Sequence, residues 1–328
     1  MKKIWKAAAL FMAALMTVGA VTAQAAAPAM LVNDGPKADA TATPAAGTAG
    51  ISAGTTYVSL GADLSGEQRA EVLRLLGLTE ADLAGMRVIT VTNAEEHQYL
   101  DAYLDESVIG THALSSCKIT SREAGHGIVV ETHNVTYVTP AMYENALATA
   151  GMKNADVVVA GPFNLSGTAA LIGAMKAYGE QTGEVISPQL IDGATDELVT
   201  TGQIAESLKD PEKAAQLIAA VKQIMAENNI SSEEELGAAV DDVARQMEIS
   251  LSAEDRQLIL DLLTKLSQLD LDARNLTDQA QKIYDQLRGM DLDLEKYGIT
   301  QETVSGFLGQ FSGLINAVIA WLKGVIGG

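Results

Sequence analysis

Strand and helix patterns alternate along one stretch of this chain, and the strand pattern then stops. The β-rich apolar runs cover residues 57–60, 86–91, 111–120, 127–138 and 155–160. Helix-start signals lie between them, and beyond Pro188 only helical patterns follow. Interleaved strands and helices build layers around a single sheet. The sequence therefore predicts an α/β N-terminal domain with a mixed sheet, followed by an all-α helical C-terminal half.

Several local signals place the elements of this layout. Ser65 with Gln68, and Asn93 with Glu96, have the spacing of capping boxes at helix starts. Ser166 is predicted to open a helix as its N-cap. The turn-like residues 121–125 separate two β-rich runs. They favour a hairpin over residues 111–138.

The chain is too long for the usual single core, and its predicted organisation has four parts. These are a signal peptide at 1–25, a flexible Ala/Thr/Pro spacer at 26–55, the α/β domain at 56–185, and a helical domain at 186–328 that ends in an amphipathic helix. The spacer composition buries too little apolar surface to order itself. The boundary near residue 185 is where the strand signal disappears.

The N-terminus has the three parts of a secretory signal. A basic start at residues 1–6 precedes the apolar run 7–18, which is shorter than a membrane span, and residues 23–25 have the small-x-small form of a cleavage site. These features predict a protein that is secreted or extracellular and associated with the cell envelope. Cys117 is the only cysteine, so no intramolecular disulfide can form.

The charge balance excludes one class of partner. The chain has 22 Lys and Arg against 42 Asp and Glu, with a formal net charge of −20. Nucleic-acid binding depends on clustered basic residues that displace counterions from phosphates. No such cluster is found, and nucleic acid is therefore excluded as a partner.

A candidate site for a small anion lies between a buried strand and a helix, at Ser166, Gly167 and Thr168. Backbone N–H groups and the helix dipole can hold an anion at such a place. A phosphate-binding loop would need a lysine before Thr168, where Gly167 stands. The alternative is that Ser166 only caps the helix.

His112, His133 and Cys117 are the candidates for metal binding or nucleophilic chemistry. Imidazole and thiolate are good zinc ligands, and a cysteine beside a histidine can form a reactive thiolate. The spacing matches no standard zinc signature, and no orienting third group or nucleophile elbow accompanies the pair. The sequence therefore assigns no catalytic residue, no metal and no cofactor.

The C-terminal segment 303–322 carries no charged residue. At helical spacing its apolar side chains form one stripe, which consists of Phe307, Phe311, Leu314, Val318 and Leu322. The alternatives are packing against the protein's own helical domain, contact with a membrane surface or a protein partner through 303–326, or spanning a membrane. The oligomeric state is not indicated.

Five short strings resemble the YpuA-like proteins, a family of exported, uncharacterised proteins of Gram-positive bacteria. They lie at residues 58–65, 88–93, 131–136, 161–163 and 166–170. The resemblance is dense from about 57 to 185 and thinner through the helical half. It implies export and supplies no functional residues. The long spacer departs from the family pattern.

Together these observations favour an exported, non-catalytic binding or envelope-associated protein of unknown activity. The alternative is an envelope hydrolase or metal-dependent enzyme that uses the histidines of the 111–138 region.

Overall fold

The computed structural model describes residues 53–183, 186–276 and 279. A five-stranded mixed sheet with helices forms the N-terminal part, the C-terminal part is mostly helical, and about 55% of the structure is helix. These observations confirm the predicted order of an α/β part followed by a helical part. The predicted signal peptide, nearly all of the spacer and the segment 303–326 lie outside the described residues. The boundary near residue 185 stays a prediction.

The strands are β1 Thr56–Gly61, β2 Arg87–Val91, β3 Ser116–Ser121, β4 Ile128–Val135 and β5 Ala155–Leu165. The helices are α1 Gly66–Leu75, α2 Glu80–Leu83, α3 Asn93–Leu100, α4 Glu106–Ile109, α5 Pro140–Thr149, α6 Thr168–Thr182, α7 Pro188–Leu208, α8 Pro211–Asn228, α9 Glu233–Gln246 and α10 Ala253–Leu266.

The strand order across the sheet is β2-β1-β3-β5-β4. The predicted hairpin over residues 111–138 is therefore wrong, because β5 lies between β3 and β4. Strand β3 runs antiparallel to β5, whereas β4 runs parallel to it. The chain does reverse after β3, but β4, α5 and β5 then form a crossover unit that returns β5 to the middle. A local turn signal cannot show that a later strand will occupy the space.

Different helices pack against the two faces of the sheet. On one face, Ile89, Cys117 and Val159 belong to a core shared with α5 and α6. On the other face, Val58 and Leu60 pack in a smaller cluster with side chains of α1 and α2. Burying both faces explains the nearly continuous apolar run of β5, where residues 157–161 are buried or half-buried.

Of the three predicted helix caps, one is present and two are exceptions. The Ser65–Gln68 capping box is present at α1. At α3, however, the N-cap is Thr92, whose side chain and backbone N–H pair with Glu95. The predicted Asn93–Glu96 box is therefore displaced by one residue from the observed Thr92–Glu95 box, and the Glu96 side chain does not cap the helix.

The second exception is α6, whose N-cap is Gly167 rather than Ser166. Gly167 has a φ of 101°, and no side chain caps the helix. The Ser166 hydroxyl instead lies 3.2 Å from that of Thr168.

The helical part is built around a second core of aliphatic side chains from α7 to α10. Both α7 and α8 begin with proline at the first position, where the missing N–H costs no hydrogen bond. Helix α7 also packs against α5, which joins this part to the sheet. Among the residues described, none of the helices combines the length and the apolar character that crossing a membrane requires.

Candidate functional site

A cavity of about 280 Å³ lies beside the N-terminus of α6. Its walls come from α3, the segment 107–115, the end of β5 and the first turn of α6. This volume is close to the lower end of the range of small-molecule sites, roughly 300–1,000 Å³. Hydroxyl, imidazole and carboxyl groups share the lining with apolar side chains, so the cavity can hold a small polar ligand.

Glu96 is the acidic residue of the lining and is only 1% exposed. Because Thr92 and Glu95 form the capping box, the next carboxylate along the helix turns inward. Its Oε1 accepts a hydrogen bond from Thr168 Oγ1 at 2.9 Å, and its Oε2 accepts a longer one from Asn93 Nδ2 at 3.4 Å. Sequence reasoning missed this residue as a functional candidate.

Burial raises the pKa of Glu96 to about 7, because removing water disfavours the charged form. The hydrogen bonds from Thr168 and Asn93 and the nearby charge of His97 lower the pKa, but they offset only part of the effect. Neither lysine nor arginine is among the side chains that line the cavity within the described ranges. The ionised carboxylate therefore has no lysine or arginine partner in the lining.

The segment 107–112 forms the outer wall of the cavity and is tied to α3 through the carbonyl of Gly110. Asn93 Nδ2 donates to this oxygen at 3.1 Å, and His97 Nε2 lies 3.2 Å from it. His97 Nδ1 lies 2.6 Å from Asp101 Oδ1, and this contact raises the pKa of His97. Both ring nitrogens face acceptors, which favours the doubly protonated imidazolium.

The first turn of α6 is fixed by neighbouring segments. Tyr143 OH donates to the Gly167 carbonyl at 2.5 Å, and the Ala170 N–H donates to Ser115 Oγ at 2.9 Å. A Cβ at position 167 would lie 2.4 Å from Tyr143 OH, so glycine is required there by contact as well as by its φ.

Two of the three predicted anion-site residues, Ser166 and Thr168, line the cavity, and Gly167 lies between them. Binding of an anion here stays a prediction. The Glu96 carboxylate already accepts the Thr168 hydroxyl, and its charge disfavours an anion when it is ionised.

Comparison with known proteins then places the chain. A family described as "Protein of unknown function (DUF1002)" matches residues 60–283. The chain belongs to this family. It is also similar to "Uncharacterized protein YpuA" of Bacillus subtilis (strain 168), with 35% identity over 274 residues, which covers 83% of this chain and 93% of that protein. The predicted resemblance to the YpuA-like family is thus confirmed. No solved structure matches the chain.

In this family member, Cys117 and His133 project to opposite faces of the sheet. Cys117 pairs with Val159, and Val159 pairs with Thr132 on β4. Directly paired residues share a face, and the next residue along a strand takes the other one. His133 follows Thr132, so the two side chains cannot meet. Burial raises the pKa of Cys117 to about 12, which keeps its sulfur a thiol.

The histidines occupy separate environments. His133 Nε2 lies 3.1 Å from a carboxylate oxygen of Glu131, and His112 Nδ1 lies 2.8 Å from Thr111 Oγ1. His112 lines the cavity, whereas Cys117 and His133 do not. Within the part of the chain that the structure describes, no three His, Cys, Asp or Glu residues come together as a metal site would require.

Proposed function

We propose that this protein is exported and acts as a non-catalytic binding protein, with the cavity beside Glu96 as its ligand site. One observation carries the proposal. A buried carboxyl group, with no lysine or arginine in the described lining, faces a cavity large enough for a small polar molecule. Burying such a group costs free energy, and contacts with apolar side chains do not offset that cost. Carboxyl groups with perturbed pKa values in cavities are typical of functional sites.

Thermal denaturation of the purified protein against a panel of cationic, neutral and anionic small molecules tests the ligand site. A ligand that binds only the folded state at about 100 times its Kd stabilises that state by about 2.7 kcal/mol. We expect Thr168→Val, which removes a cavity hydroxyl, to abolish the shift caused by a hit. Thr264→Val on α10 is the matched control and should preserve it. A panel without any shift would contradict the proposal.

Export follows from the signal predicted at residues 1–25. Its support is the basic, apolar and cleavable order of these residues. N-terminal sequencing of protein recovered from the culture medium or the envelope should begin at residue 26. Recovery of the uncleaved chain from the cytosol would contradict export.

The segment 303–326 is proposed as the contact with a membrane surface or protein partner. Fractionation of cells that make the chain with and without residues 301–328 tests this part separately. We expect truncation to change either the location or the oligomeric state. An unchanged location and an unchanged oligomeric state would refute the role of the segment.

The hydrolase or metal-enzyme alternative has less support, because the sheet places Cys117 and His133 on opposite faces. Metal analysis of the dialysed protein distinguishes the two ideas. Stoichiometric zinc that survives dialysis would favour the alternative over a non-catalytic role.

A further inference from the structure

We infer that the ligand of this cavity carries a protonated amine, which pairs with the Glu96 carboxylate. The inference rests on the proposed binding function and goes further by naming the chemical class. Each oxygen of Glu96 has one hydrogen-bond donor from the chain, Thr168 for Oε1 and Asn93 for Oε2. A carboxylate has about four lone-pair positions, so each oxygen can accept another donor. An ammonium group would supply both the donors and the missing positive charge.

The charged groups of the chain near Glu96 do not fill this role. His97 is its nearest histidine in sequence, but its imidazole is held by Asp101 at 2.6 Å and by the Gly110 carbonyl. Lys176 of α6 pairs with Glu95 at 2.5 Å instead. The hydrogen bonds of both groups thus go to other acceptors, although the charge of His97 still lowers the pKa of Glu96.

The remaining titratable groups near Glu96 each have a hydrogen-bond partner within the chain. Asp63 raises the pKa of Glu96 through its own charge, and its carboxylate accepts the Ala113 N–H at 2.8 Å. Tyr143 is buried and donates its hydroxyl to Gly167, while His112 lies against Thr111. A positively charged ligand therefore meets no lysine or arginine in the described lining. The overall charge of −20 also attracts cations to the surface.

Pairing with an ammonium group requires the ionised form of Glu96. With the Glu96 pKa at about 7 in the free protein, about 1% of the molecules are ionised at pH 5 and about nine-tenths at pH 8. The affinity for an amine should therefore rise about 100-fold between these pH values. Binding near pH 6.5 should also release a proton from the protein.

Isothermal titration calorimetry with matched probes tests the inference. The probes are 1,4-diaminobutane against 1,4-butanediol, and cyclohexylamine against cyclohexanol. Each is measured at pH 6.5 in two anionic buffers that differ in ionisation enthalpy, and again at pH 5 and 8. We expect at least one amine to bind at least tenfold more tightly than its alcohol, with proton release and the 100-fold pH dependence.

Glu96→Gln should remove both the preference for the amine and the pH dependence, whereas Glu131→Gln, on the exposed part of β4, should keep them. The pH series on the unsubstituted protein and on His112→Gln decides the question even if Glu96→Gln does not fold, because His112 also lines the cavity and its variant should keep the pH dependence. Equal binding of amine and alcohol without proton release would overturn the inference and leave the binding function intact. Binding of none of the amines would also overturn it, and hits among neutral or anionic compounds would then still support the binding function.

Discussion

Two buried carboxyl groups of this protein, Glu96 and Glu197, have opposite surroundings. Glu197 is fully buried between helices and meets Lys222, which is 2% exposed, at 2.5 Å. The lysine gives its other two N–H groups to the Asn145 carbonyl at 3.0 Å and to Thr149 Oγ1 at 2.9 Å. The Thr149 hydroxyl in turn donates to Glu197. Glu96 instead accepts hydrogen bonds from two neutral groups, on Thr168 and Asn93, and lines a cavity.

The difference shows how a structural charge can be told from a functional one. In the network of Glu197, Lys222, Thr149 and Asn145, every proton of the ammonium group has an acceptor, and the network joins α5, α7 and α8. Burial raises the pKa of Glu197 and lowers that of Lys222, but each stabilises the charge of the other. Glu96 lacks such a partner within its lining. A closed network holds the fold together, whereas an incomplete one beside a cavity leaves room for a ligand.

The largest effect should come from opening the closed network. Lys222→Met leaves Glu197 buried without its counter-charge, and we expect a loss of about 3–5 kcal/mol in the free energy of unfolding. Urea denaturation at pH 7 measures it. Lys153→Met, which breaks the exposed pair with Asp272, is the control and should cost less than about 1 kcal/mol. Equal losses in the two variants would remove the contrast between closed and open sites.

The next largest effect concerns the pH dependence of stability at Glu96. The folded carboxyl binds its proton more tightly than the unfolded one, whose pKa is 4.5. Stability from this group is therefore present below pH 4.5 and is lost as the pH rises through 7, by about 3 kcal/mol in all. Glu96→Gln should flatten this part of the profile in urea denaturation between pH 4.5 and 8. Parallel profiles for the variant and the original protein would contradict a perturbed carboxyl.

A smaller effect is expected at the glycine that shapes the cavity. Gly167→Ala combines an unfavourable φ with a Cβ too close to Tyr143 and should cost about 2 kcal/mol. Gly183 also has a positive φ, of 69°, but open space around it. Gly183→Ala should therefore cost only about 1 kcal/mol, and the difference between the two melting curves isolates the contact. A larger loss at Gly183 would argue against the tight packing of the α6 N-terminus.

The smallest effect should come from His97, which holds the cavity wall. Its pKa is raised by Asp101, so its contribution is complete below pH 6.5 and is lost as the pH rises through the raised value. His97→Gln should lower the melting temperature more at pH 5.5 than at pH 8.5. His126→Gln, which removes the contact between another imidazole and the Asp156 carboxylate, is the control for the melting temperatures of His97→Gln. A pH-independent change for His97→Gln would mean that the imidazolium does not hold the wall.

Much of the fold could be predicted from the sequence, because the signals involved are local. The alternation of strands and helices and the Ser65 cap depend on residues a few positions apart. The hairpin failed because strand order depends on β5, which lies some twenty residues after β4. Pairing of Glu197 with Lys222 likewise joins two helices that no short pattern connects.

The site was only half predictable for a related reason. Ser166 and Thr168 were found because a strand followed by a small polar turn and a helix is a recognisable pattern. Glu96 was missed because Glu95 and Glu96 are equivalent in the sequence, and only the helix phase decides which one faces inward. A cap at Thr92 instead of Asn93 changes that phase by one residue. The separation of Cys117 from His133 depends on sheet register, which the sequence did not reveal.

The central claim is that Glu96 is a buried ionisable carboxyl with no lysine or arginine in its described cavity lining, open to a ligand. A pH titration followed by carbon-13 NMR of the glutamate carboxyls, with the Glu96 signal assigned by its loss in Glu96→Gln, tests this claim most directly. We predict a midpoint near pH 7 in the free protein. We also predict a lower midpoint when a bound amine saturates the site. A midpoint near 4.5 in the free protein would contradict the claim.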